Sequence, residues 1–223
     1  MPTALIIGTG LGGLTTALRL SRRGYEVHLV EQFHQAGGRL NQLKKDGFTF
    51  DLAPSFFSMS YEFKEFVQDA KIPMPFEFVE LDPLYSVNFR GTGKTYKIFK
   101  DLDKLAGEFN EIEPNFRQNI DKYLKSAGSF FHDTEHLVIH KNFNNLAHYL
   151  FTLARVPWKH APKMVRSFWD EVSRHFDSQE VKEILSLVAF FLGATPFDTP
   201  ALYSLLSYTE LVHDGYHNVK GGM

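Results

Sequence analysis

The sequence of 223 residues contains no cysteine and carries little net charge. The absence of cysteine excludes disulfides, thiolate metal ligands and a thiol nucleophile, and it fits an intracellular protein. A formal net charge of −2 gives no reason to expect a nucleic-acid partner. The longest apolar stretch, residues 184–194, is shorter than the roughly 20 residues that span a bilayer. We therefore expect neither a disulfide scaffold, nor a nucleic-acid-binding protein, nor a membrane-spanning helix.

The start of the chain carries the pattern of a dinucleotide-binding βαβ unit. Residues 4–7 are a short apolar run, typical of a strand buried on both faces. Gly8, Gly10 and Gly13 match G-x-G-x-x-G, whose glycines permit a tight turn, approach of a pyrophosphate, and close packing of helix on strand. A second strand ends in Glu31, 18 residues after the last of these glycines, where a carboxylate accepts hydrogen bonds from a ribose. The pattern predicts a pyrophosphate at the N-terminus of the helix.

A second glycine-containing segment follows this unit. Gly37 and Gly38 would let another stretch of backbone approach the phosphates, and Arg39 would supply a permanent positive charge. Beyond it, an Asp46-Gly47 pair between two strand-like runs predicts a hairpin.

This succession, completed by a strand that ends near Asp51–Ser55, resembles the superfamily of FAD-dependent amine oxidases and phytoene desaturases. Ala53 departs from the pattern, because the family usually has glycine there. The resemblance implies FAD as the cofactor and no metal. By the resemblance, the residues that would contact FAD are Gly8, Gly10, Leu11, Gly12, Gly13, Glu31, Gln32, Gly37, Gly38, Arg39, Ala53, Pro54 and Ser55.

The end of the chain narrows the resemblance to the phytoene desaturase branch. Residues 195–223 are similar to a segment of bacterial carotenoid desaturases in which a Pro-Ala-x-Tyr-Ser-Leu helix leads to a Pro-Lys-Gly-Gly-Met turn. Val219 stands where that segment has proline. Members of the family are longer, so we expect the chain to correspond to an N-terminal portion of one of them.

These observations predict an α/β protein. Its expected parts are an incomplete FAD-binding Rossmann-like domain of the glutathione reductase type and an α+β substrate domain. We expect residues 1–57 to belong to the FAD-binding domain. Residues 58–223 would form a substrate-binding and membrane-associating domain, helical with a small antiparallel sheet. Its apolar run over residues 184–192 predicts a buried helix.

Two motifs in the middle of the chain look like ligand-binding sites but are better explained as ordinary structural features. Residues 91–95 look like the end of a phosphate loop, but no leading glycine precedes them and a strand follows, so a hairpin tip is expected. His132, His136 and His140 recur at helical spacing and would suit zinc, yet no catalytic motif accompanies them. A solvated helix face explains the three histidines better.

The region around residues 141–176 mixes basic and aromatic side chains. No Asp or Glu occurs from His136 through Trp169, although five Lys or Arg residues do. Such a segment suits the headgroup region of an anionic membrane, and it equally suits core helices with basic outer faces. We expect a cytoplasmic protein in peripheral contact with a membrane.

The resemblance implies FAD-dependent desaturation of an acyclic carotenoid, of the phytoene or hydroxycarotenoid type. The 22 phenylalanines suit an apolar tunnel for such a substrate, and equally an ordinary core. Tyr203 or Tyr208 would line the tunnel. The sequence assigns no catalytic base and leaves the oligomeric state open. A retinoid saturase, a carotenoid isomerase, an amine oxidase-like enzyme and a non-catalytic portion of such a protein remain alternatives.

Overall fold

A computed structural model describes residues 1–52, 56–139 and 141–222. The chain divides into two compact units. Residues 1–81 and 216–223 form the first, which we call the Rossmann unit, and residues 82–215 form the second, the helical unit.

The elements are numbered along the chain. The strands are β1 (Thr3–Ile7), β2 (Glu26–Val30), β3 (Gln42–Lys45), β4 (Phe48–Asp51), β5 (Phe57–Ser58), β6 (Phe78–Glu80), β7 (Tyr85–Phe89), β8 (Lys94–Ile98) and β9 (Tyr216–Val219). The helices are α1 (Leu11–Arg22), α2 (Ser60–Asp69), α3 (Leu102–Phe109), α4 (Phe116–Thr134), α5 (Leu146–Leu153), α6 (Ala161–Val165), α7 (Phe168–Ser173), α8 (Gln179–Leu185) and α9 (Ser204–Tyr208). Short 3₁₀ or π turns cover Glu135–Ile139, Trp158–His160, Leu187–Leu192, Ala201–Tyr203 and Thr209–His213.

In the Rossmann unit, β1 and β2 pair in parallel and α1 connects them, which confirms the predicted βαβ arrangement. The expectation that β1 is buried on both faces is wrong for the described chain. Leu5 and Ile7 are 64% and 85% exposed. In this unit α1 packs against one face of the strand pair, where Ala17 is buried, and the alternate side chains of β1 point to the other face.

The next strand pair, β3 and β4, is the predicted hairpin. Asp46 and Gly47 connect the strands with φ angles of 52° and 83°. Two consecutive positive φ values are the requirement of a type I′ turn, and the Asp-Gly pair meets it.

A three-stranded antiparallel sheet with the order β5-β9-β6 brings the end of the chain back to the Rossmann unit. The Leu81 amide donates to the Tyr216 carbonyl at 2.9 Å, so the chain leaves and re-enters this unit at neighbouring positions. Beside the sheet, four rings pack with centroids 4.6–6.4 Å apart: Phe57, Phe63, Phe76 and Phe78. The boundary between compact units thus lies at 81/82; the separate roles that we assigned to residues 1–57 and 58–223 stay predictions.

The helical unit has its core around α4. The Asp101 carboxylate caps α3 by accepting from the amides of Asp103 and Lys104 at 2.9 and 3.1 Å, as its sequence predicts. One face of α4 is buried in this core: Phe116, Ile120, Tyr123, Leu124, Ala127 and Phe131. The β7–β8 hairpin has residues 90–93 at its tip, which confirms the structural interpretation of the phosphate-loop look-alike.

The prediction of a buried helix over residues 184–192 is wrong. The α-helix ends at Leu185, and a 3₁₀ turn follows it. Val188 and Ala189 are buried, whereas Phe190 and Phe191 are 62% and 55% exposed. A 3₁₀ turn has three residues per turn, so an unbroken apolar run places side chains on every side of its axis. Because only one side of this turn faces the core, the other apolar side chains are exposed.

Candidate dinucleotide-binding site

The turn between β1 and α1 is shaped by two glycines. Gly8 has φ of +96°, and its amide donates to the carbonyl of Val30 at 2.7 Å, which ties the turn to β2. A Cβ at Gly13 would lie 2.1 Å from the carbonyl oxygen of Gly8, so helix and strand end approach as closely as backbones allow. Both features agree with the roles that the G-x-G-x-x-G pattern assigns to these positions.

The first turn of α1 is open to an anion. Gly10 is the N-cap residue and has no side chain to bond the free amides of the helix start. A Cβ built on Gly10 would meet its nearest atom, the Cα of Gly38, at 4.0 Å. The backbone at Gly10 is therefore accessible to a ligand, and the positive end of the helix dipole lies behind it.

The structure brings the second glycine segment to the first. The Gly37 amide donates to the Thr9 carbonyl at 2.8 Å, and Gly10 and Gly37 form an isolated parallel bridge. A Cβ on Gly38, where φ is +61°, would lie 3.0 Å from the Cα of Gly10. The next residue, Arg39, is exposed beside this contact. Two glycine-lined backbones thus meet at the start of α1, and the exposed Arg39 directly follows the second of them.

Glu31 lies at the end of β2, as predicted, and the protein already holds its carboxylate in place. Its Oε2 accepts from the Thr9 hydroxyl at 2.6 Å and from the Thr9 amide at 2.8 Å. Its Oε1 accepts from the Phe33 amide at 3.0 Å. These bonds, the Thr9 hydroxyl first among them, lower the pKa of Glu31 from 4.5 to about 2. The carboxylate is therefore ionised throughout the physiological range and ready to accept from a ribose hydroxyl.

The other residues that the sequence predicts to contact FAD are either exposed near the turn or lie outside the described residues. Leu11 and Gly12 are exposed at the start of α1 and border an apolar cavity of about 470 Å³, whose other wall includes Phe63 and Phe66 of α2. Gln32 is exposed next to Glu31. The predictions for Ala53, Pro54 and Ser55 lie outside the described residues.

Sequence reasoning missed one residue of this site, Thr9. Its side chain is 6% exposed and turns toward Glu31. The sequence offered a signal, a hydroxyl between the first two glycines, but its partner is 22 positions away.

The three regularly spaced histidines do not form a metal site among the described residues. His132 bonds the Tyr208 hydroxyl at 3.0 Å, His136 lies in the following π turn, and His140 lies outside the described residues. Within the described ranges, no three His, Asp or Glu side chains are grouped as metal ligands would be.

Comparisons with known proteins agree with this geometry. Residues 6–70 match a family described as an NAD(P)-binding Rossmann-like domain. Over its full length the chain also superimposes on 46% of a structure of putrescine oxidase bound to putrescine, with a TM-score of 0.56 and 17% identity. The fold is thus an α/β fold with a Rossmann-like dinucleotide-binding unit, of the kind found in amine oxidase-type oxidoreductases.

Curated relatives define the branch more closely. A phytoene desaturase of Fusarium fujikuroi is 29% identical over 99% of this chain. A zeta-carotene-forming phytoene desaturase of Myxococcus xanthus is 30% identical over 98% of it. The chain spans 39% and 42% of the lengths of these two relatives. The resemblance to the N-terminal part of the phytoene desaturase family is thereby confirmed, and with it FAD as the cofactor that the family implies. The open α1 terminus, the glycine contact and the ionised Glu31 fit that group.

Proposed function

We propose that this chain is the FAD-binding portion of an oxidoreductase that desaturates an acyclic carotenoid. The contact between Gly10 and Gly38, with Glu31 fixed nearby, is the observation that supports this proposal most directly. The phytoene desaturases among its relatives favour a carotenoid substrate.

In this proposal the residues of the chain bind and orient, and the cofactor supplies the redox chemistry. The chemistry that FAD would supply when bound is hydride acceptance during desaturation of a C–C bond. The start of α1 would hold the pyrophosphate, and Glu31 would hold the adenosine ribose. Gly37, Gly38 and Arg39 would approach the phosphates from the other side, with Leu11, Gly12 and Gln32 at the edge of the nucleotide.

Substituting Gly10 by alanine tests the cofactor site without filling a packed space. Gly10 has an extended backbone with φ of −69°, and an added methyl meets no atom closer than 4.0 Å. Gly10→Ala should therefore fold normally, yet its methyl would stand where the pyrophosphate approaches. We expect FAD affinity, measured by flavin fluorescence quenching, to fall by at least about tenfold.

Gly107→Ala is the matched control, because Gly107 lies in α3 of the helical unit with no atom within 4 Å of an added Cβ. It should bind FAD as the wild-type chain does. Equal binding by Gly10→Ala and Gly107→Ala would contradict the assigned phosphate position. A protein of the relatives' length that contains this chain and binds no FAD would contradict the proposed function itself.

The substrate class needs a separate assay. A protein of the relatives' length that contains this chain would be incubated with FAD and liposomes carrying phytoene or a hydroxylated carotenoid. Desaturation lengthens the conjugated chromophore, so the absorption maximum should move to longer wavelength. An unchanged spectrum with every carotenoid offered would contradict the substrate assignment.

The same proposal includes peripheral contact with a membrane through residues 141–176. No helix among the described residues has the length and apolar character to cross a bilayer. Apolar side chains between residues 146 and 165 are nevertheless exposed to solvent in the helical unit. They are Leu146, Tyr149, Leu150, Phe151, Trp158, Met164 and Val165, with exposures of 39–89%. A peripheral protein inserts such side chains at the boundary of headgroups and acyl chains.

The charges of this segment support the contact less than the sequence suggests. Glu171, from just beyond the acid-free stretch, bonds Lys163 at 2.5 Å and Arg166 at 2.6 Å, and the Lys163 side chain is buried. Lys159 pairs with Asp133 of α4 at 2.7 Å. Three of the five basic side chains thus already have carboxylate partners. The expected attraction is therefore mainly apolar, with Lys141 and Arg155 exposed as its cationic component.

Trp158, which is 87% exposed, is the side chain to change. Trp158→Ser should reduce sedimentation with phosphatidylcholine vesicles severalfold, and adding anionic phosphatidylglycerol should restore little of it. Phe48→Ser is the matched control, because Phe48 is 66% exposed but belongs to the Rossmann unit. If Phe48→Ser and Trp158→Ser sediment alike, residues 141–176 are not the membrane-contacting segment. Trp169 is unsuited to this test because its ring packs on Phe197, with centroids 5.1 Å apart.

A further inference from the structure

Thr9 makes a contact that the dinucleotide pattern does not assign to that position. The second residue of the pattern is unspecified, yet here its side chain is 6% exposed and bonds Glu31 across 22 positions. Both the amide and the hydroxyl of Thr9 donate to the same carboxylate oxygen, at 2.8 and 2.6 Å. These two bonds anchor Oε2, and the Phe33 amide holds Oε1 at 3.0 Å, so donors on both oxygens fix the plane of the carboxylate.

We infer that Thr9 is a positioning residue that aims the Glu31 carboxylate at the adenosine ribose and so sets the discrimination between ribose and deoxyribose. This inference rests on the proposed FAD site and adds a specificity role to it. Thr9 would act through Glu31, without touching the nucleotide by its hydroxyl.

The hydrogen-bond count explains how this selection works. An ionised carboxylate offers about four lone-pair directions. Two on Oε2 are taken by Thr9, and one on Oε1 is taken by the Phe33 amide. The Gln32 amide also acts on this carboxylate as a hydrogen-bond donor. The protein thus holds the carboxylate in one orientation, in which it can still accept from a ribose hydroxyl, whereas a 2′-phosphate, which is itself an anion, is repelled.

Removal of the Thr9 hydroxyl should loosen the carboxylate without disturbing the turn. In Thr9→Val the side chain keeps its shape and the backbone amide still donates to Glu31, but the stronger bond is lost. The pKa of Glu31 should then rise from about 2 toward its ordinary value, because the Thr9 hydroxyl makes the largest contribution to lowering it. Thr9→Ser keeps the hydroxyl and should preserve the wild-type behaviour.

The binding experiment compares ADP with 2′-deoxy-ADP by calorimetry on the 223-residue chain. The wild type and Thr9→Ser should bind ADP about tenfold more tightly than 2′-deoxy-ADP. In Thr9→Val this ratio should fall to about twofold or less, through weaker binding of ADP with 2′-deoxy-ADP little changed. Glu31→Gln provides the reference for loss of the carboxylate.

Two results would overturn the inference alone: an unchanged ratio in Thr9→Val, or equal weakening of both nucleotides, which indicates a general structural defect. A wild-type chain that does not bind ADP would overturn this inference, and a protein of the relatives' length that contains this chain and binds no FAD would overturn the proposed function with it. A second readout needs no nucleotide. The ¹³C carboxyl resonance of Glu31, identified by its absence in Glu31→Gln, should titrate at higher pH in Thr9→Val than in the wild type. Identical titrations would also reject the role of Thr9.

Discussion

The Rossmann unit and the helical unit obtain their shapes in opposite ways. Among the described residues of the Rossmann unit, three apolar residues are buried: Ala17, Ala70 and Tyr216. Its geometry comes from backbone contacts, such as Gly13 against Gly8 and Gly38 against Gly10. The helical unit instead packs large side chains around α4, among them Phe109 and Phe116 at 0% exposure. The glycine turns of the candidate cofactor site are therefore shaped by close backbone approach, and the helical unit by the packing of large side chains.

This difference predicts that stability and cofactor binding respond to different substitutions. A truncation in the core of the helical unit should cost stability directly, because it leaves a cavity. A methyl added at Gly10 should cost FAD binding and little stability. The following predictions test how far this separation holds.

Phe116→Ala should have the largest effect on stability. Phe116 is fully buried, and its ring packs on Phe109 and Phe176 with centroids 5.0 and 5.6 Å away. The free energy of unfolding of the helical unit should fall by about 4 kcal/mol in urea titrations. Phe48→Ala, an exposed change in the Rossmann unit, should stay within about 0.5 kcal/mol of the wild type. Similar losses in both variants would contradict the comparison.

Two glycines of the helical unit should respond to alanine with opposite signs. A Cβ on Gly128 of α4 would lie 2.6 Å from the Tyr208 ring, which is also held by its bond to His132. Gly128→Ala should therefore destabilise by about 2 kcal/mol. Gly107→Ala has open space and should stabilise α3 by about 0.5 kcal/mol, because alanine reduces the entropy of the unfolded chain. Thermal unfolding of both variants measures the difference; a shift of the same sign in both would show that the Tyr208 contact does not constrain Gly128.

The smallest expected effect is a pH dependence from Glu31. Because its pKa is lowered to about 2, the folded state binds this proton less readily than the unfolded chain. The stabilisation by Glu31 is therefore fully present above about pH 4.5 and is lost as the pH falls toward 2. The difference in melting temperature between wild type and Glu31→Gln should shrink over that range. A difference that grows on acidification would contradict the assigned hydrogen bonds.

Asp101 provides the matching measurement in the helical unit. The amides of Lys104 and Asp103 lower the pKa of this capping carboxyl. The difference in melting temperature between the wild type and Asp101→Asn should also shrink on acidification, because backbone amides donate to the ionised carboxylates of both Asp101 and Glu31. If one of the two carboxylates shows no pH dependence, its hydrogen bonds do not persist in solution.

The sequence predicted those parts of the molecule that depend on local rules. The order of strand, glycines, helix and acid identified the turn at Gly8 and the position of Glu31, since each lies at a fixed place in the βαβ unit. The cap at Asp101 and the turn at Asp46 follow from residue types that suit specific backbone positions.

What escaped prediction depends on residues far apart in the chain. The bond from Thr9 to Glu31 and the pairing of β9 with β5 and β6 need partners that local patterns do not reveal. The ion pairs of the acid-free stretch, residues 136–169, escaped prediction for the same reason, because their partners Asp133 and Glu171 lie outside it. The exposure of Phe190 depends on the choice between α and 3₁₀ turns, which composition alone does not determine.

The hydrogen bond between Leu81 and Tyr216 gives the chain a modular construction. Residues 82–215 are therefore connected to the Rossmann unit at two neighbouring positions, the end of β6 and the start of β9. A polypeptide arranged this way can exchange the enclosed segment for another, or for a short loop, while the strands on either side keep their pairing. The two compact units are thus able to diversify independently.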